Sequence, residues 1–105
     1  MVRATLRITV PPGREEAFER CWQAVAAEVR RTPGHLRQAL LRDPGEPGTF
    51  FVTSDWENAE AFHAFERSPE QHALTAPLRA LRTSASMTVH QLAVHLERET
   101  PCPHE

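Results

Sequence analysis

The sequence predicts an α+β fold: a ferredoxin-like βαββαβ sandwich with one antiparallel sheet. Three observations carry this. The first residues alternate, with Val2, Ala4, Leu6, Ile8 and Val10 set against Arg3, Thr5, Arg7 and Thr9, which is the period of a strand. The next eighteen repeat at helical spacing through Phe18, Cys21, Trp22, Val25 and Val29. Strand and helix patterns then alternate in the order strand, helix, strand, strand, helix, strand.

Each element has its own punctuation. Pro11-Pro12-Gly13 stops the first strand, and Pro33-Gly34 ends the first helix. A second strand runs from about His35 to Arg42. The loop Asp43-Pro44-Gly45-Glu46-Pro47-Gly48 turns it into a third, Thr49 to Trp56, so the two form a hairpin. Asn58 can cap a helix over Ala59 to Arg67. Ser68-Pro69-Glu70-Gln71 is a further start signal, with Ser as cap, Pro at the first position and Gln closing a capping box. Pro77 lacks a donor and should break or kink that last helix. A fourth strand is expected from Ser84 to about Glu97. The domain therefore covers residues 1–98, with a flexible tail over 99–105.

Helices on one sheet face leave the other uncovered. That face carries Phe51, one of Leu40 and Leu41, and half of the set Met87, Val89, Leu92 and Val94. An apolar second face calls for a partner, and a homodimer closing two sheets into a barrel supplies one. Antiparallel pairing of the first and third strands also brings Asp55 beside Arg3, in an ion pair on that face.

Composition excludes several function classes. The chain of 105 residues has a net charge of -2 and no basic run longer than two, which argues against nucleic acid as a partner. No apolar stretch approaches the roughly 20 residues of a membrane span, and no signal-peptide pattern opens the chain. Cys21 and Cys102 lie far apart and outside any C-x-x-C, as in a reduced, cytoplasmic protein. All twelve basic residues are Arg, and Lys and Tyr are absent, so Schiff-base and phenolic chemistry are unavailable. The four glycines stand singly at turns, and a nucleotide-binding loop cannot be built from them. Among the six histidines no pair has the two-residue strand spacing or four-residue helix spacing that aims two imidazoles at one metal.

The most informative segment is Thr49–Leu81. A strand ends at Asp55-Trp56, and two helical patterns follow with Phe62, Phe65, Leu74, Leu78 and Leu81. Trp56 shares a strand face with Val52 and Ser54, and Leu6 lies on the matching face of the first strand. Trp56 is then either a core plug or the wall of a cavity whose indole N–H is free to donate. Phe18, Trp22, Phe62, Phe65 and Leu78 are candidates to complete that cavity. His72 lies roughly 150° from the apolar stripe of its helix at about 100° per residue, and reaches the cavity only if the Pro77 break turns the first turn inward. His90 shares a face with Leu92, Val94 and Leu96. These two histidines are the candidate bases. Arg37, Arg79 and Arg82 are candidates for the cavity mouth, where they would steer an acidic substrate.

The arrangement resembles the antibiotic biosynthesis monooxygenase domain of the dimeric α+β barrel superfamily. The resemblance rests on Asp55-Trp56-Glu57 at a strand end, Ala61-Phe62 in the next helix, Ser68-Pro69 opening another, and the turns at Pro12-Gly13 and Pro33-Gly34. It implies a homodimer with a pocket between sheet and helices in each subunit. It also implies a choice of activities: oxidation of a polycyclic aromatic polyketide, anthrone to quinone, by molecular oxygen without flavin, metal or haem; haem degradation; or ring cyclisation. The haem-degrading pattern places a ligand His nineteen residues after the Trp, where this chain has Thr75, and an Asn on the first strand, where it has Leu6. Quinone-forming members can show a polar residue and a Tyr where this chain has Val52 and Phe62. The resemblance thus points to a cofactor-independent oxygenase in secondary metabolism with Trp56, His72 and His90 as its catalytic set. A polyketide cyclase and a non-catalytic ligand-binding dimer are the alternatives.

Overall fold

A computed structural model describes residues 1–99. Its elements run β1 (Val2–Thr9), α1 (Glu15–Val29), β2 (His35–Arg42), β3 (Thr49–Trp56), α2 (Ala59–Arg67), α3 (Pro69–Leu74), α4 (Ala76–Leu81) and β4 (Ser84–Gln91). The strands form one antiparallel sheet in the order β2-β3-β1-β4. This is the α+β, ferredoxin-like topology that the alternating periods predict.

Register decides which side chains meet the helices. Leu6 pairs with Val52 on one side and Met87 on the other, while Ala4 pairs with Ser54 and Val89. On β2, Gln38 stands opposite Ser54 and Leu40 opposite Val52. These residues, with Val2, Ile8, Phe50 and Trp56, share the sheet face on the helix side, although Met87 and Val89 on β4 stay exposed. The core there divides into two clusters. Val2, Ala4 and Trp56 pack against Phe62, and Ile8, Val10 and Phe50 pack against Phe18. Leu41 and Phe51 fall on the opposite, uncovered face, where Leu41 is 48% exposed.

The helix over Trp56 is placed by a glycine. Gly34 has φ +84°, and a Cβ there would collide with the Ala61 side chain of α2. Its carbonyl accepts from the Glu57 N–H at 2.8 Å, tying the turn after α1 to the exit of β3. Asn58 then caps α2 by accepting from the Ala61 N–H at 2.8 Å.

Two local expectations need correction, and the expected break of the last helix before Pro77 is found. The capping box at Ser68 forms only by half: Ser68 Oγ accepts from the Gln71 N–H at 3.2 Å, but the Gln71 amide reaches across to Thr32 Oγ1 instead. The last helical pattern is two helices joined at Thr75, with Pro77 in the first turn of α4, where its missing donor costs least. β4 ends at Gln91 rather than near Glu97, because its partner β1 begins at Val2, opposite Gln91. One more rung joins the Leu92 N–H to the Met1 carbonyl at 2.9 Å. Residues 92–98 thus belong to no strand, and Cys102, with most of the expected tail, lies outside the described residues. No helix among those residues is long and apolar enough to cross a membrane.

Candidate functional site

Between the sheet and the helices lies a partly open cavity of about 230 Å³. That volume is just under the ~300–1,000 Å³ usual for small-molecule sites. Its inner wall is aromatic and aliphatic. Trp56, 1% exposed, stands between Phe65 at 5.0 Å and Phe62 at 5.9 Å between ring centroids. Leu6, Val52 and Trp22 extend that wall along β1, β3 and α1, and Leu78 closes it from α4.

The floor holds two polar side chains from facing register positions, Ser54 and Gln38. The Trp56 indole N–H donates to Ser54 Oγ at 3.1 Å. It is therefore not free, as the strand pattern suggests; the donor left over is the Ser54 hydroxyl. The Gln38 amide N–H donates to the Ala26 carbonyl of α1 at 2.8 Å, which leaves its Oε1 as an acceptor at the cavity. Floor chemistry is one hydroxyl donor and one amide acceptor in an otherwise apolar surround.

The rim is charged. Glu66, Arg79 and Arg82 line it together with Thr75. Arg79 is fixed by two neutral acceptors, Thr75 Oγ1 at 2.7 Å and the His72 carbonyl at 2.6 Å. Burial, and then the like charge of Arg79, push the Arg82 guanidinium below its ordinary pKa. Glu66 meets the His63 ring at 3.2 Å.

Four residues singled out in the sequence stand elsewhere. Phe18 is fully buried against Phe50, 5.1 Å between centroids, and plugs the second core cluster rather than lining the cavity. His72 is exposed on α3; the break at Thr75 leaves the imidazole outside the lining, and only its carbonyl touches the site, through Arg79. His90 pairs with Arg3 in the β1–β4 register and so lies on the uncovered face, with the sheet between it and the cavity. Arg37 sits on that same face and bonds Asp55 at 2.7 Å.

Asp55 itself is 1% exposed although it faces away from the helices. The expected Arg3 pair forms at 2.7 Å, and the two guanidiniums cover the carboxylate from β1 and β2. The Arg3 hydrogen bond holds the Asp55 carboxyl below its usual range, against the opposing effect of burial. Next to it, His35 packs edge-on against Trp56 at 5.1 Å, and its buried Nε2 has no hydrogen-bond partner among the described residues. Burial lowers the His35 pKa, more than the Asp55 charge raises it.

Sequence reasoning missed Gln38, Glu66, Thr75 and Met87 as lining residues. Gln38 had a legible signal: a polar residue at an inward position of β2. Glu66 had none, because a carboxylate in the last turn of an amphipathic helix reads as solvated. No group of three or more metal-ligating side chains gathers among the described residues. Haem fits poorly here. Among the described residues no imidazole or thiol lines the cavity, and the volume is small for a macrocycle.

Comparison with known proteins agrees with this geometry. A cofactor-independent oxygenase from Streptomyces nogalater, SnoaB, superposes with a TM-score of 0.80 at 26% identity, covering 90% of this chain and 95% of that one. The 42.8 kDa protein in the whiE locus of Streptomyces coelicolor is 29% identical over 99% of this chain, which spans only 26% of that protein's length. A mycobilin-producing haem oxygenase of Mycobacterium tuberculosis is 36% identical over 59% of each chain. The family model for antibiotic biosynthesis monooxygenases matches residues 1–76, and the chain belongs to that family.

Proposed function

We propose that the protein is a cytoplasmic, cofactor-independent monooxygenase that oxidises a polycyclic aromatic polyketide, converting an anthrone-type methylene to a quinone carbonyl. The observation that carries this reading is the cavity: an aromatic wall at Trp56, Phe62 and Phe65 with one hydroxyl donor, Ser54, at its floor. The likeness to SnoaB supports it.

The chemistry needs little from the protein beyond such a site. Removal of a proton from the methylene gives an enolate whose negative charge lies on the carbonyl oxygen. The Ser54 hydroxyl, itself held by the indole N–H, is the donor for that oxygen. The electron-rich enolate passes one electron to molecular oxygen, and the radical pair combines at carbon to a hydroperoxide. Loss of water leaves the carbonyl. One oxygen atom enters the substrate, and the other leaves with the two methylene hydrogens, so no external reductant is used. The apolar walls keep water from the intermediates. With His72 and His90 outside the cavity, Glu66 is the carboxylate on its lining that can accept the first proton.

The protein acts as a homodimer in this reading. Leu41 on the open sheet face, and Leu92, Val94 and Leu96 at and beyond the last ladder rung, are 42–88% exposed in a single chain. Light scattering on the purified protein checks the assembly; a monomer refutes it.

An oxygen electrode with anthrone, in chelator-treated protein, tests the reaction. Equimolar oxygen uptake and quinone formation, reduced in Glu66→Gln, are the expected results. No oxygen uptake above the buffer rate with anthrone and its hydroxylated analogues overturns the reading.

A further inference from the structure

We propose that the ligand of this cavity carries a carboxylate, and that Arg82, with Arg79 beside it, seats that group at the rim. The inference rests on the aromatic-ligand reading above and adds the substituent that the ligand must bear.

Ten of the twelve arginines are exposed, and six of those ten have a carboxylate partner within 4.0 Å. The two that are withdrawn from water are Arg79 and Arg82, and both stand in the cavity wall. Neither has a carboxylate within 4.0 Å among the described residues. A guanidinium that gives up water without an anion keeps its charge uncompensated, and a second guanidinium beside it adds repulsion. Glu66 on the same rim does not relieve this, since its contact is with His63.

The two arginines differ in a way that assigns their roles. Both free ends of Arg79 are spent on Thr75 and the His72 carbonyl, so it is a fixed positive charge. The Arg82 side chain makes no hydrogen bond among the described residues, and its whole planar fork is open to a carboxylate, which it matches in two-point geometry. The lowered Arg82 pKa agrees with a cation lacking its counter-ion. Position fits as well. Arg79 and Arg82 line the same cavity as Trp56 and Phe65, so a substituent on one edge of a flat ring system stacked there can reach the guanidiniums.

Quenching of tryptophan fluorescence, with anthracene-2-carboxylate and the neutral 2-(hydroxymethyl)anthracene as probes, tests this on the full chain. Wild-type protein should bind the carboxylate about tenfold or more tightly, the scale of one charge-assisted contact. Arg82→Gln should erase that preference while keeping the affinity for the neutral probe, and Arg82→Lys should restore part of it. Equal affinity of the wild type for the two probes overturns the proposal and leaves the oxygenase reading intact. A preference that survives in Arg82→Gln overturns the assignment to Arg82. Failure of both probes to bind at solubility-limited concentrations overturns this inference together with the aromatic-cavity reading. The wild-type comparison decides even if a variant fails to fold.

Discussion

At the scale of single residues, the site depends on what the Trp56 N–H is bonded to. Its contact with Ser54 turns two side chains, two positions apart on one strand, into a donor chain that ends in the cavity. In Ser54→Ala the indole N–H loses its acceptor and the cavity loses its hydroxyl. Stability should fall by about 1–3 kcal/mol, the cost of leaving a buried indole N–H without an acceptor. Turnover should fall about 10²-fold, the cost of removing one donor to a developing oxyanion, with kcat rather than KM carrying the loss. Steady-state oxygen uptake separates the two. This bond was within reach of the sequence, because residues i and i+2 of a strand share a face. What the sequence could not give is the rotamer that points the indole along the strand instead of into the space. His35 carries a second residue-scale consequence. Its folded pKa is lowered, so the unfolded chain takes up its proton first as pH falls. Stability from the neutral ring is complete above ~6.5 and is lost as pH drops through the lower, folded value. The urea midpoint of the wild type should decline from pH 8 to pH 5, and less so in His35→Phe. The Asp55 carboxylate, also lowered, adds a separate loss that starts only near ~3.9.

At the scale of elements, α2 lies over Trp56 because the turn after α1 comes close enough to touch it. Gly34 and Ala61 are the contact, and two penalties fall on any side chain at residue 34: a left-handed backbone, and a collision with the helix. Gly34→Ala should therefore cost more than ~1 kcal/mol. The double variant with Ala61→Gly should recover the steric share and leave the backbone share, and denaturant melts of the four proteins measure the coupling. Elements were the most legible scale of this molecule. Alternation in β1, the stripe in α1 and the Pro/Gly breaks gave their positions because each has a local cause. The end of β4 was not legible, since it is set by where β1 runs out, a fact about another part of the chain. The inward position of His72 failed for a related reason. It required the break before Pro77 to turn α3 inward; the break forms at Thr75, but the His72 imidazole stays exposed and only its carbonyl reaches the site.

At the scale of the whole molecule, the two faces of the sheet have different work. The helix-covered face holds the cavity, and the open face is tied together by Asp55 between Arg3 and Arg37, which links β1, β2 and β3. One chain leaves 7545 Å² accessible to solvent. A compact monomer of 11.9 kDa exposes about 6,000 Å². The segment after Leu92 and the open face, where Leu41 meets water, are among the exposed apolar surfaces. Both are surfaces that a second copy can cover, and strand edges and apolar faces left bare invite worse associations. Leu41→Asp places a charge in the middle of the proposed interface without touching either core cluster or the cavity lining. The expected outcome is a folded monomer, with wild-type far-ultraviolet dichroism and half the mass by light scattering at micromolar concentration. A variant that keeps the mass of two chains would place the interface elsewhere than the open face. Leu41 is already half-buried in one chain, so covering the rest is worth roughly 0.7–1.5 kcal/mol per subunit; an unpaired aspartate there adds its desolvation, so the assembly should weaken by a hundredfold or more.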